Sequence, residues 1–174
     1  MDYDSLLRTY RKKPICNPET LPVKLAVGQE EIKKIIPHRE PFLFLDTITG
    51  IDLKEGLIAG GRFISGADQI FKGHFPGFPV YPGVLEIEML GQLGLCLYYF
   101  VLNQITNIRE EARPVNIRAT RVVGAYFLEP ILPDSDVVLL AKSLEYDGFF
   151  GKAIGQAVSD GKVACVTIGE VCFV

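Results

Sequence analysis

The chain has 174 residues, 48% of them apolar, which is the size and composition of one globular domain with a single core. Its 18 basic and 21 acidic side chains leave a net charge of −3, which excludes a broadly basic protein built to coat nucleic acid and restricts any polyanion to a local patch. Cys16, Cys96, Cys165 and Cys172 contain no CxxC pair, and the two histidines, His38 and His74, share no metal-ligand spacing with them. A reducing compartment and no structural metal are the expectations.

Residues 1 to 27 read as an amino-terminal extension: Arg8, Arg11, Lys12 and Lys13 make its first half basic, and Pro14, Pro18 and Pro22 break it, so a solvated arm is expected. No apolar segment follows its charges, which points to a cytoplasmic protein without a secretory leader. The single domain is expected over residues 28–174. Gly28–Ile36 has isoleucines at helical spacing and stops at Pro37, giving a short helix. Residues 42–53 and 57–64 are rich in β-branched and aromatic residues around Lys54-Glu55-Gly56, which predicts two paired strands. An irregular Gly/Pro-rich passage over residues 72–82 leads into an apolar run from Gly83 to about Leu102. Proline at its start makes it the one long helix, apolar nearly all round as a helix enclosed by a sheet must be. Met89–Ile108 holds 20 residues without a formal charge, but Gln92, Asn103, Gln104 and Asn107 interrupt it, so a buried helix is expected rather than a membrane span. Gly91 and Gly94 would admit another backbone. Strands are expected at about 115–127, 136–146, 149–159 and 162–173, separated by turns at Pro133-Asp134, Asp147-Gly148 and Asp160-Gly161. The result is an α+β chain, a long helix wrapped by a mostly antiparallel sheet of five or six strands, with an edge that dimerisation would cover.

Residues 73–92, GHFPGFPVYPGVLEIEMLGQ, concentrate the chemistry. His74 lies in a loop stiffened by Pro76, Pro79 and Pro82, and Gly83 opens a helix whose first N–H groups have no intrahelical partner. Glu88 follows on an apolar helix that would raise its pKa, with Gln92 one turn on to orient it. Glu86 is read as an exposed acid favouring the helix dipole. A base near neutral pH, a carboxylic acid and an amide-lined helix end together suit elimination next to a carbonyl.

This segment resembles the active-site signature of FabZ-type 3-hydroxyacyl-(acyl carrier protein) dehydratases, GHFPG-x-P-x-x-PGV-x-x-x-E-x-x-x-Q, with every fixed position present from Gly73 to Gln92. IPHREPFLFLD at residues 36–46 resembles the family's leading motif, and SDGKVACVTI its final hairpin. The resemblance implies the hot-dog fold and a homodimer, or a trimer of such dimers, with shared sites. It implies that His74 is the general base at C2, that Glu88 from the other subunit protonates the departing 3-hydroxyl, and that the Gly83 amide holds the thioester oxygen. The Val80 carbonyl would hold the histidine ring, and Tyr81 and Phe75 would border the acyl tunnel. No cofactor is implied beyond the phosphopantetheine of an acyl carrier protein, and no metal. His38 is read as structural. Glu88, where related dehydratase-isomerases carry Asp, argues against isomerisation.

FLEPILPDSD departs from the family's basic strand motif at Leu128 and Glu129, which leaves Arg118 and Arg121 as candidates for carrier docking, with Arg11, Lys12 and Lys13 as weaker ones. The rival readings are a hot-dog acyl thioesterase, which does not need this His/Glu pairing, and a non-catalytic acyl-binding module, which would have lost it.

Overall fold

The computed structural model describes residues Met1–Val174. In chain order the elements are α1 (Tyr3–Tyr10), β1 (Val23–Val27), α2 (Gln29–Ile35), β2 (Thr47–Asp52), β3 (Leu57–Ile64), α3 (Gly83–Asn103), β4 (Ile117–Phe127), β5 (Ser135–Tyr146), β6 (Phe150–Ser159) and β7 (Lys162–Phe173). The strands form one antiparallel sheet in the order β1-β2-β3-β5-β6-β7-β4. Seven strands replace the expected five or six because Val23–Val27, read as part of the arm, pairs with β2. The Asp160-Gly161 turn takes positive φ at both residues (49° and 73°), the twist a tight hairpin between β6 and β7 requires.

α3 crosses one face of this sheet, and the residues that bury it recur at helical spacing: Glu86, Met89, Leu90, Leu93, Cys96, Leu97 and Phe100. Leu90 approaches β6 closely enough that a Cβ on Gly155 would lie 2.8 Å from it, so the glycine sets the helix-to-sheet distance. The long apolar segment is thus the core helix, enclosed by strands. Gly91 and Gly94 face open space within the chain and admit no backbone there.

The arm is not solvated. Leu7 is buried in a second apolar cluster with Ile154, Val163, Val166 and Ile168, on the face of the sheet opposite α3. Gln156, fully buried there, accepts from the Ile15 N–H and donates to the Tyr10 and Lys13 carbonyls, clasping the arm to β6. Arg11 stacks over the Tyr126 ring at 4.7 Å. Local composition reads as polar because the arm's contacts are one side of a short amphipathic helix plus backbone groups, and backbone groups leave no mark in a composition.

Residues 42–46 also differ from expectation: they are extended in composition but not in the sheet, although Leu43, Phe44 and Leu45 are buried. Side chains take several of their backbone groups instead, while the Phe42 and Asp46 N–H groups donate to the Arg39 and Gly61 carbonyls. Gln92 accepts from Phe44 N–H at 2.7 Å and donates to Phe42 C=O at 2.9 Å, while Arg62 donates to Leu43 C=O at 2.8 Å.

Candidate active site

His74 follows a short 3-10 turn, Gln69–Lys72, and its ring is fixed from one side. Its Nδ1 lies 2.9 Å from the Val80 carbonyl oxygen. A carbonyl only accepts, so Nδ1 carries the proton and Nε2 keeps a free lone pair. Phe75 stacks on the imidazole with ring centroids 4.0 Å apart and is itself about half exposed, at the rim of the site.

Gly83 opens α3 behind the N-cap residue Pro82, which supplies no side-chain bond to the helix start. The first N–H groups of α3 therefore remain available, with the positive end of the helix dipole behind them. Glycine is required here by contact: a Cβ on Gly83 would lie 2.6 Å from the Phe127 ring at the end of β4.

Glu88 sits about a turn and a half along α3. Its Oε1 accepts from Gln92 Nε2 at 2.9 Å and lies 3.2 Å from His38 Nε2. Those two contacts, the His38 bond first, hold the carboxyl below the usual glutamate range despite partial burial. The expectation of a raised pKa is thereby overturned: the apolar helix desolvates Glu88, but the two donors outweigh that effect. His38, expected to be structural, is part of the site.

Glu86 is the reverse case. Two positions from Glu88 on a helix, it points to the opposite side, is only 3% exposed, and burial alone pushes its pKa up to about 8. It is a buried neutral acid rather than an exposed ion, with Oε2 unpartnered. Tyr81, expected beside a tunnel, is buried against Phe71 with its hydroxyl also unpartnered, and burial raises that hydroxyl to about 12.

Within one chain no hydrogen bond joins His74 to Glu88; each is committed to its own partner. An apolar groove of about 200 Å³ starts at Glu88 and follows α3 past Gly91 and Gly94 to Tyr98. β4 flanks that groove and is hydrogen-bonded only to β7, leaving its other edge free.

The match to the FabA-like domain covers residues 36–167. The FabZ 3-hydroxyacyl-(acyl-carrier-protein) dehydratase of Anoxybacillus flavithermus is 34% identical over 139 residues, 79% of this chain and 91% of that protein. Its counterpart in Sulfurimonas denitrificans is 43% identical over 133 residues, 76% and 83% of the two chains. The chain belongs to the FabZ family. Among solved structures it is similar to the dehydratase heterocomplex ApeI:P of Xenorhabdus doucetiae (TM-score 0.58, 14% identity, 82% of this chain and 90% of that one). It is also similar to the PaaI protein of Escherichia coli (TM-score 0.52, 14% identity, 73% and 78%). At these identities the likeness establishes the hot-dog fold.

In this FabZ chain Arg118 and Arg121 are exposed on β4, in register with Cys172 and Glu170 of β7, with no acidic partner within 4 Å, and Arg121 also borders the Glu88 groove. α1 packs against the same two strands and brings Arg11 to β4. Glu129, an acid where the family carries a base, lies 3.9 Å from Lys162. The alternation of buried positions along α3 could have placed Glu86 correctly from sequence. Nothing local to His38 signals its contact with a residue 50 positions away.

Proposed function

We propose that the protein removes water from a 3-hydroxyacyl thioester, carried on the phosphopantetheine of an acyl carrier protein, to give the trans-2-enoyl thioester in fatty acid biosynthesis or a related acyl-chain pathway. The observation that carries this reading is the His74 contact: with Nδ1–H given to Val80 C=O, Nε2 is the ring nitrogen left to act as the base. Nε2 takes the C2 proton, and the negative charge that develops on the thioester oxygen is met by the Gly83 N–H at the start of α3. Glu88 protonates the departing 3-hydroxyl through Oε2, the oxygen that His38 and Gln92 leave free. A substrate covering Oε2 adds desolvation, which favours the protonated form Glu88 needs. The apolar groove leading from Glu88 to Tyr98 suits the acyl chain.

His74 and Glu88 are separately anchored within one chain, and the free edge of β4 borders the groove; both features support a homodimer in which the base of one copy meets the acid of the other. Trimers of such dimers are compatible with that arrangement. Arg118 and Arg121 form the carrier-docking surface, and the protein acts in the cytoplasm. The test is mass spectrometry of a 3-hydroxyacyl carrier protein after incubation with the protein. Loss of one water is expected. Release of free acid would instead identify a thioesterase, and an unchanged substrate a binding module.

A further inference from the structure

His38 comes from the turn after α2, and its ring is placed by its neighbours. Pro37 ends the helix, and the Arg39 guanidinium clamps the chain by donating to the carbonyls of Lys33, Ile36 and His38 at 3.0, 3.0 and 2.7 Å. The imidazole stacks on Phe42, whose carbonyl is held by Gln92. Nδ1 is buried without a partner, so the ring makes one polar contact, from Nε2 to Glu88 Oε1 at 3.2 Å. A carboxylate accepts, so the proton is on Nε2.

We propose that His38 is the positioning residue of Glu88: with Gln92 it occupies Oε1, so that Oε2 alone is presented to the substrate. Two donors on one oxygen fix the carboxyl plane, and the loop that carries one of them is tied to α3 through the other. The same contact is the main reason the carboxyl binds its proton weakly in the resting chain. The other charged groups lining the Glu88 groove are Arg121 and Glu170, from β4 and β7; Gln92 on α3 is neutral. For its catalytic consequence the inference rests on the dehydration reading; the contact itself does not.

The test uses the full chain with carboxyl-labelled glutamate, the Glu88 signal being assigned by its loss in Glu88→Gln. Wild type, His38→Phe and His38→Gln are titrated by NMR, and the same preparations are assayed for kcat and KM on a 3-hydroxyacyl carrier protein. In His38→Phe the Glu88 pKa rises and kcat falls roughly tenfold to a hundredfold, the scale of a lost hydrogen bond to a charged group, with KM little changed. His38→Gln, whose amide can donate in place of Nε2–H, returns the pKa toward the wild-type value and recovers part of the rate. If His38→Phe does not fold, His38→Asn, too short to reach Oε1, supplies the comparison. An unmoved Glu88 pKa, or a moved pKa with undiminished kcat, overturns the proposal. A moved pKa in a protein whose wild type releases no water refutes the dehydration reading and leaves the contact standing.

Discussion

Gln92 and Glu88 lie one helical turn apart on α3, and the amide that donates to the Glu88 carboxylate at 2.9 Å also bonds Phe42 C=O and Phe44 N–H. One fully buried side chain therefore orients the acid and stitches the residue 42–46 segment to the helix. Gln92→Leu removes all three bonds and leaves two backbone groups unpaired, each costing about 1–3 kcal/mol when buried. The variant should lose several degrees in Tm and also lose dehydration rate; calorimetry beside a steady-state assay measures both. Unchanged stability would mean that water replaces the amide.

His74→Ala and Glu88→Gln should each abolish most dehydration while leaving the circular dichroism spectrum unchanged. Neither side chain is an anchor of the core. When the two inactive proteins are mixed and allowed to exchange subunits, activity should reappear, because a mixed dimer contains one site with His74 and Glu88 both intact. No recovery after demonstrated exchange would place both groups in one chain.

Glu86 makes stability depend on pH in a defined direction. Its folded pKa of about 8 exceeds that of an exposed glutamate, so between about pH 4.5 and 8 the unfolded chain releases this proton while the folded chain keeps it. Stability from this group therefore falls as pH rises through that window and is level above it, with a total of at most ~5 kcal/mol. Glu86→Gln should flatten the dependence, and Glu86→Leu should be the more stable protein at pH 8. Urea denaturation at pH 6 and pH 8.5 checks the sign; parallel curves for wild type and Glu86→Gln would show that the carboxyl is hydrated.

Charge reversal at Arg118, which does not line the Glu88 groove as Arg121 does, should weaken turnover of a carrier-bound substrate and hardly change that of a small thioester that never meets the surface. Added salt should reproduce the effect, since exposed charges are screened over roughly 8–10 Å at physiological ionic strength. Equal losses on both substrates would assign Arg118 to the fold.

The fold was legible wherever one residue pattern served one neighbour. The run from Gly83, the Asp-Gly turn and the four carboxy-terminal strands all follow from local periodicity, and the structure places α3 and β4 to β7 within about two residues of expectation. The resemblance also pairs His74 with Val80 and Glu88 with Gln92, and the structure joins each pair by a hydrogen bond. Failures came where a side chain substitutes for a neighbouring strand or a distant residue sets a charge. Phe42 to Asp46 looks like a strand because its composition is that of a buried extended segment, whichever group takes its hydrogen bonds. Glu88 was expected to bind its proton tightly because helix composition reports desolvation and says nothing of a histidine donated by another loop. The arm and β1 were passed over because their partners, Gln156 and β2, lie far away in sequence.

The arm also decides how copies of this protein can stack. α1 lies across the backs of β4 and β7, with Leu7 set into the outer apolar cluster and the chain beyond it held by three bonds to Gln156. Two subunits meeting back to back over that part of the sheet would first have to peel the arm away and strand a buried amide. The arm thus works as a spacer that closes this face of the sheet to a neighbour and leaves the rim of β4, beside the Glu88 groove, uncovered.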